Sequence, residues 1–295
     1  MAMLSLLIAL FAAAANAVSS VLQRKGAMET PPERQSGLRV VIAQLHHPVF
    51  FGGFALLVVG FLCQATALRL GSLAVVQPVL AAELPITLLF ASRVFRRPLH
   101  RRKWIAIAAM AGGLAVALAA AAPTPGKRNP ADVPLAIGCG SALAFLAVIA
   151  LVGWHLRGSP RAALLGITSG GLFGVTATLM TTVTVRAQAG LQTLFTSWQL
   201  YAMAVVGLAA LIVLQQAYGA GVLNASQPGV TIADPIIAVI LGVTVFGEKL
   251  RLGWLLPIEI AAIGAIVFGA VEMSRSPLAA SDSASRDETT EPACA

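Results

Sequence analysis

The stretch "ASQPGVTIADPIIAVI", residues 225–240, is apolar nearly throughout, yet it sets Asp234 against Pro235 in its middle. Residues 75–90, "VVQPVLAAELPITLLF", repeat the pattern of Gln-Pro, then an acid, then a second proline. Gln77 and Gln227 stand 150 positions apart, and so do Pro85 and Pro235. The match extends outward over 68–104 against 218–254, with Gly71 on Gly221 and Trp104 on Trp254. One phrase is written twice, and each copy carries an acid inside a hydrophobic run.

The medium follows from composition. The chain has 295 residues, 58% hydrophobic and 11% charged, and a mean hydropathy of +0.84. A soluble domain carries about 25% charged residues, so a water-facing surface has too few polar groups here. Lipid satisfies no backbone polar groups, and helices satisfy their own, so the fold class is an all-α integral membrane protein. A hydrocarbon core of about 30 Å needs roughly 20 apolar residues of helix. Runs near 2–22, 48–68, 72–94, 103–122, 132–154, 161–185, 196–217, 222–246 and 253–272 make nine spans. The stretch 34–47, "RQSGLRVVIAQLHH", is short and polar and is expected at the interface; inserted, it would make ten. "LFAAAANAVSS" has the small residues of a cleavage site, but "MAMLSLL" lacks a basic lead, so the first span is expected to be retained.

Basic residues set the orientation. Arg24, Lys25, Arg34 and Arg39 lie between spans 1 and 2, and Arg93, Arg96, Arg97, Arg101, Arg102 and Lys103 flank the loop between spans 3 and 4. Arg157 and Arg161 follow span 5, and Arg275 and Arg286 lie in the tail. These are fourteen of the twenty Lys and Arg, so that side is expected to be cytoplasmic, C-terminus included, in the cytoplasmic membrane. The duplicated phrases fall in spans 3 and 8, five crossings apart, so the copies enter the membrane from opposite faces. The expected organisation is a first repeat over 1–122, a linker over 123–131, a second repeat with its preceding span over 132–272, and a disordered tail over 273–295. Inverted repeats about an axis in the membrane plane are the build of many secondary transporters, whose sites lie near the midplane.

Other classes lack their signals. The net charge is +8, but the basic residues sit in short stretches between apolar runs, so no nucleic-acid partner is expected. Cys63, Cys139 and Cys294 form no framework, and His46, His47, His100 and His155 have no ligand spacing. No phosphate loop or nucleophile elbow is present, so neither enzymatic activity nor a cofactor is expected.

Glu83 and Asp234 both fall near mid-bilayer. An ionised acid there costs about 2.5–3.5 kcal/mol on insertion scales, so such residues face the bundle interior, pair, or carry a proton. Pro78 and Pro85, like Pro228 and Pro235, are seven apart on one helical stripe. Each removes a backbone donor and clashes with the carbonyl four residues back, which makes them the candidate hinges. Gln227 and Thr231 share the Asp234 face, and Gln77 is the counterpart of Gln227. Asn16, Ser19, Ser20 and Gln23 draw a polar stripe along span 1. It lines a pathway or bonds to neighbouring helices. The candidates for substrate or coupling-ion contact are therefore Glu83, Asp234, Gln77, Gln227, Thr231 and Asn16. The competing reading makes the prolines packing kinks and the acids a structural pair. Glu259, shallow and after Pro257, is expected to snorkel or pair with Lys249 or Arg251. Gly166, Gly170 and Gly174 are in a register for close helix packing.

The second copy, running into "GVTVFGEKLRLG", resembles the second half of the drug/metabolite transporter superfamily (EamA-like domains). The opening "NAVSSVLQRKGA" and the span count are similar to its NIPA-type magnesium transporters. The likeness covers residues 1–272. It implies a secondary transporter that moves a small metabolite or drug-like solute by alternating access. Its NIPA-like branch implies Mg2+ instead, with Glu83 and Asp234 as the metal residues, since Mg2+ is usually held through one or two carboxylates plus waters. A reading from another class is a membrane scaffold or accessory subunit with no flux. The expected partners are a small-molecule or ion substrate and the bilayer, with a homodimer left open. One departure from the family is "RVFRRPL" in the first copy, which leaves Glu248 without a partner acid and points to a loop or folding role for it.

The inverted arrangement predicts opposite accessibility for His100→Cys and Leu250→Cys in a cysteine-free background. Impermeant-maleimide labelling of intact cells should reach only position 250; labelling of both from one side would refute the inversion.

Overall fold

A computed structural model describes residues 2–28, 48–96, 98–121, 123–124, 126–127, 129–220, 223–249 and 256–274. The side chain of Gln227, the stretch 34–47, Arg97, Arg251, Cys294 and the tail from 275 lie outside the described residues. The helices are α1 Ala2–Met28, α2 Pro48–Leu70, α3 Leu73–Leu80, α4 Glu83–Val94, α5 Arg101–Ala121 and α6 Asp132–His155. They continue with α7 Ser159–Gln188, α8 Leu191–Thr196, α9 Trp198–Ala220, α10 Leu223–Thr244 and α11 Leu256–Ser274. Among the described residues the only non-helical pairing is an isolated antiparallel bridge between Thr124 and Lys249.

Among the described residues seven stretches are long and apolar enough to cross a bilayer: Met3–Gln23, Pro48–Leu70, Leu73–Val94, Arg101–Ala121, Asp132–His155, Ser159–Gln188 and Trp198–Ala217. The chain is a multi-pass helical membrane protein. The outward faces agree. Phe51, Phe54 and Leu62 on α2, Ile137 and Phe145 on α6, and Val205 and Leu208 on α9 are all exposed large apolar side chains. Lipid replaces water as their solvent, so such exposure has no hydrophobic cost.

Helices in lipid associate through close packing rather than hydrophobic burial, and small residues permit it. The buried helix α7 is the centre of this packing, touching α6, α9 and α10. A Cβ added at Gly166, Gly170 or Gly174 would collide with the α10 backbone at Ser226, Val230 and Asp234 respectively. The four-residue steps match on both helices, so α7 and α10 run parallel with their backbones nearly touching. In the first half the glycines sit on α2 instead, where Gly53 faces Ser19 and Gln23 of α1, and Gly60 faces Asn16. Helices α5 and α11 are antiparallel, with Gly113 against Ala262 and Gly269 against Ala106. Lys103 in the first turn of α5 donates to the Glu272 backbone carbonyl and lies 3.5 Å from its carboxylate.

The run 72–94 is two helices rather than one. Around the break the backbone bonds shorten to three-residue steps, Ala81 N–H to Pro78 O at 3.1 Å and Ala82 N–H to Val79 O at 3.0 Å. Helix α4 restarts at Glu83, which places Pro85 in its first turn, where a missing N–H costs nothing. Helix α10 carries Pro228 and Pro235 inside an unbroken helix. The glycine face of α7 splints it across that length.

Replacing Gly170 with Val should force α10 off α7. Overpacking of this kind costs about 1–3 kcal/mol, and backbone rather than a flexible side chain stands in the way, so the detergent melting temperature should fall clearly. An unchanged melting curve would show that the two helices are not in contact.

Candidate functional site

A cavity of about 930 Å³ lies between α1, α2, α3, α4, α7, α9, α10 and the end of α11. Glu83 and Asp234 both line it, near enough for their charges to interact. Asn16, Gln77, Thr231 and Pro235 line it too, so five of the six candidate contact residues share one space. Gln227 is the sixth, and its side chain lies outside the described residues. Pro78, Pro85 and Pro228 are not in the lining and act on the backbone alone.

The local chain explains each placement. Glu83 opens α4 at the break, so the turn at Ala81–Ala82 aims its carboxyl into the gap, where the Asn16 side chain is within hydrogen-bonding reach. Asp234 is held by the contact of its own carbonyl with Gly174. The polar stripe of α1 divides. Ser19 donates to Gly53 O at 2.8 Å and receives Gln23 Nε2 at 2.8 Å, tying α1 to α2, while Asn16 and Ser20 face the cavity.

Several polar atoms here have no partner among the described residues: Asn16 Oδ1, Asp234 Oδ1, and both Gln77 amide atoms. Gln77 is 1% exposed. An unpaired buried carboxamide is costly, and such groups in a cavity wall are poised to bond something that enters it. Among the described residues no Lys, Arg or His belongs to the lining. Much of the remaining wall is apolar, with Phe61, Leu84, Phe173 and Met180 in it.

Sequence reasoning passed over Gln64 and Thr176, which also line the cavity. Gln64 is a lone carboxamide in an apolar span, the signal that singled out the α1 stripe. Thr178, Thr181 and Thr182 bond back to carbonyls of α7 and stay out of the cavity. Glu259 lies outside it in the first turn of α11, its Oε1 without a partner among the described residues.

Glu248, in the loop after α10, is 5% exposed. Leu73 N–H donates to its Oε1 at 2.6 Å and Ala74 N–H to its Oε2 at 2.8 Å. It caps α3 in place of Ser72, which occupies the N-cap position without a side-chain bond. Burial pushes this carboxyl above the ordinary carboxylate range, and the two N–H bonds draw it partway back.

Fold and site together define a multi-pass helical membrane protein with an acidic, apolar-walled interior cavity. The chain is 31% identical over 255 residues to an uncharacterized protein of Corynebacterium glutamicum, a match covering 84% of this chain and 86% of the relative. It belongs to the same family as that protein. No family model matches the chain, and no solved structure does.

Gln77→Leu removes two unpaired polar atoms from the cavity wall. Leaving such a group unsatisfied costs about 1–3 kcal/mol, so the ligand-free protein should melt at or above the parent temperature. A clear loss of stability would mean that Gln77 has a structural partner.

Proposed function

We propose that this protein is a secondary transporter of the drug/metabolite superfamily, moving a small organic solute across the cytoplasmic membrane by alternating access between two inverted halves. The cavity carries the reading: a space of about 930 Å³, within the range of roughly 300–1,000 Å³ typical of small-molecule sites, with two acids on its wall. Its acidic lining without a basic residue favours a solute bearing a positive group, and its apolar wall favours a hydrophobic body.

The inversion has support from packing order. Helix α1 touches α2 and α4, as α7 touches α9 and α10, and the related pairs α3 with α10 and α5 with α11 meet between the halves. These are the pairings that a two-fold axis in the membrane plane brings together, with α6 as the extra span. Nine crossings, with the C-terminus in the cytoplasm, fit this order and the bias of basic residues. Mg2+ transport is the second reading, because Asn16 Oδ1, Gln77 Oε1 and Asp234 Oδ1 are oxygens without partners. Such oxygens suit a hard cation, whereas the apolar wall does not.

The test is flux in proteoliposomes against organic cations, neutral metabolites and Mg2+. Asp234→Asn and Glu83→Gln should insert and melt as well as the parent, since each removes an ionisable group from mid-bilayer. Each should lose flux by roughly tenfold or more, the effect of losing a charge-assisted bond. Retained exchange with loss of pH-gradient dependence would assign the acids to proton coupling. Full transport by the double variant would refute the site.

A further inference from the structure

The two ends of the cavity are unlike. Its lining runs to Phe95 and Met273, where α4 and α11 end. At the other end it stops at Gln77, one turn short of the start of α3. Beyond that point Ser72, Leu73, Ala74, Phe246 and Glu248 are all buried. The plug draws on both halves. Lys127 N–H of the linker donates to Phe246 O at 2.7 Å, and Thr124 N–H to Lys249 O at 2.9 Å. The loop so anchored extends Glu248 across to the first turn of α3 in the opposite half.

From this arrangement we infer that Glu248 is the latch of a gate: its carboxylate holds the α3 N-terminus to the second half and releases it when the cavity opens at that end. Two N–H groups at a helix start are donors that only a carboxylate can accept with both oxygens, and helix polarity adds to the attraction. The contact is therefore strong while made and wholly lost when α3 moves, which is what a two-state gate requires. Gly242 belongs to the device. A Cβ there would stand 2.6 Å from Glu248 Oε2, so only glycine lets the carboxylate lie against the α10 backbone. Gln77 lies one turn below Leu73 on the same short helix, so the latch and the site move as one body. The first copy has Pro98 at the position 150 residues before Glu248; this carboxylate latch belongs to one end of the molecule only.

The inference rests on the transport reading, and its test does not need flux. Thr181 is 5% exposed and borders a small gap with Ser72 and Glu248. Thr181→Cys, in a background without native cysteines, reports opening at this end; Ser20→Cys reports the cavity from the other. With impermeant maleimide on purified protein in liposomes, Glu248→Gln should raise the Thr181→Cys labelling rate by roughly tenfold or more, the population shift expected from one lost bond to a charged group. Labelling of Ser20→Cys should fall as Thr181→Cys labelling rises, and Gly242→Ala should reproduce both changes. Unchanged Thr181→Cys labelling in both variants would overturn the latch. Labelling that rises at both reporters with a lowered melting temperature would also overturn it, since Glu248 would then only hold the fold. Reciprocal labelling shifts in a protein that moves no solute would support the latch and remove the transport reading.

Discussion

An ionisable carboxyl inside a membrane-spanning helix bundle persists only where lipid is kept away from it, and Glu83 and Asp234 both line one interior cavity. Much of the surrounding packing serves it. Asn16 and Ser20 of α1 turn inward, because a polar stripe facing lipid would have no partners. The glycines of α7 bring α10 close, and that contact fixes where Asp234 stands. The large apolar side chains of α2, α6 and α9 are left facing outward, where hydrocarbon receives them at no cost. Inside and outside are thus sorted by polarity, but in the reverse sense to a soluble protein.

The duplicated phrase does not fold into duplicate structures. Helices α3 and α10 start 150 residues apart, at Leu73 and Leu223, and carry Pro78 and Pro228 in the same sixth position. After that they diverge. The first copy breaks at Ala81–Ala82 and restarts as α4, whereas the second stays helical through Pro235. The difference lies in the neighbours. Helix α10 rests on a row of glycines that holds it from Ser226 to Asp234, and among the described residues the α3–α4 run has no comparable splint. Glu83 consequently sits at a helix start, and Asp234 sits inside a clamped helix.

The loop after α10 adds a second asymmetry. Glu248 replaces a local N-cap with a carboxylate brought 175 residues along the chain. The bond is short and buried, and it joins the two halves at the end where the cavity is shut. The carboxylate satisfies two amide donors that would otherwise be buried unpaired.

Much was determined by the sequence alone. Runs of about 20 apolar residues mark where the helices lie, because hydrogen bonds within a helix satisfy a lipid-buried backbone without help from distant residues. The repeat, the paired acids and the polar stripe of α1 were likewise readable, since each is a local departure from greasiness. Tertiary structure alone decided the rest. Whether Pro85 or Pro235 interrupts its helix depends on which neighbour splints it, and that contact is set by glycines some 60 residues away in the chain. Gln64 and Thr176 join the wall only because α2 and α7 present those turns to the cavity. The purpose of Glu248 was hidden for the same reason: its partners are backbone N–H groups, which every residue but proline carries, and no side-chain pattern announces which of them a fold will leave unpaired.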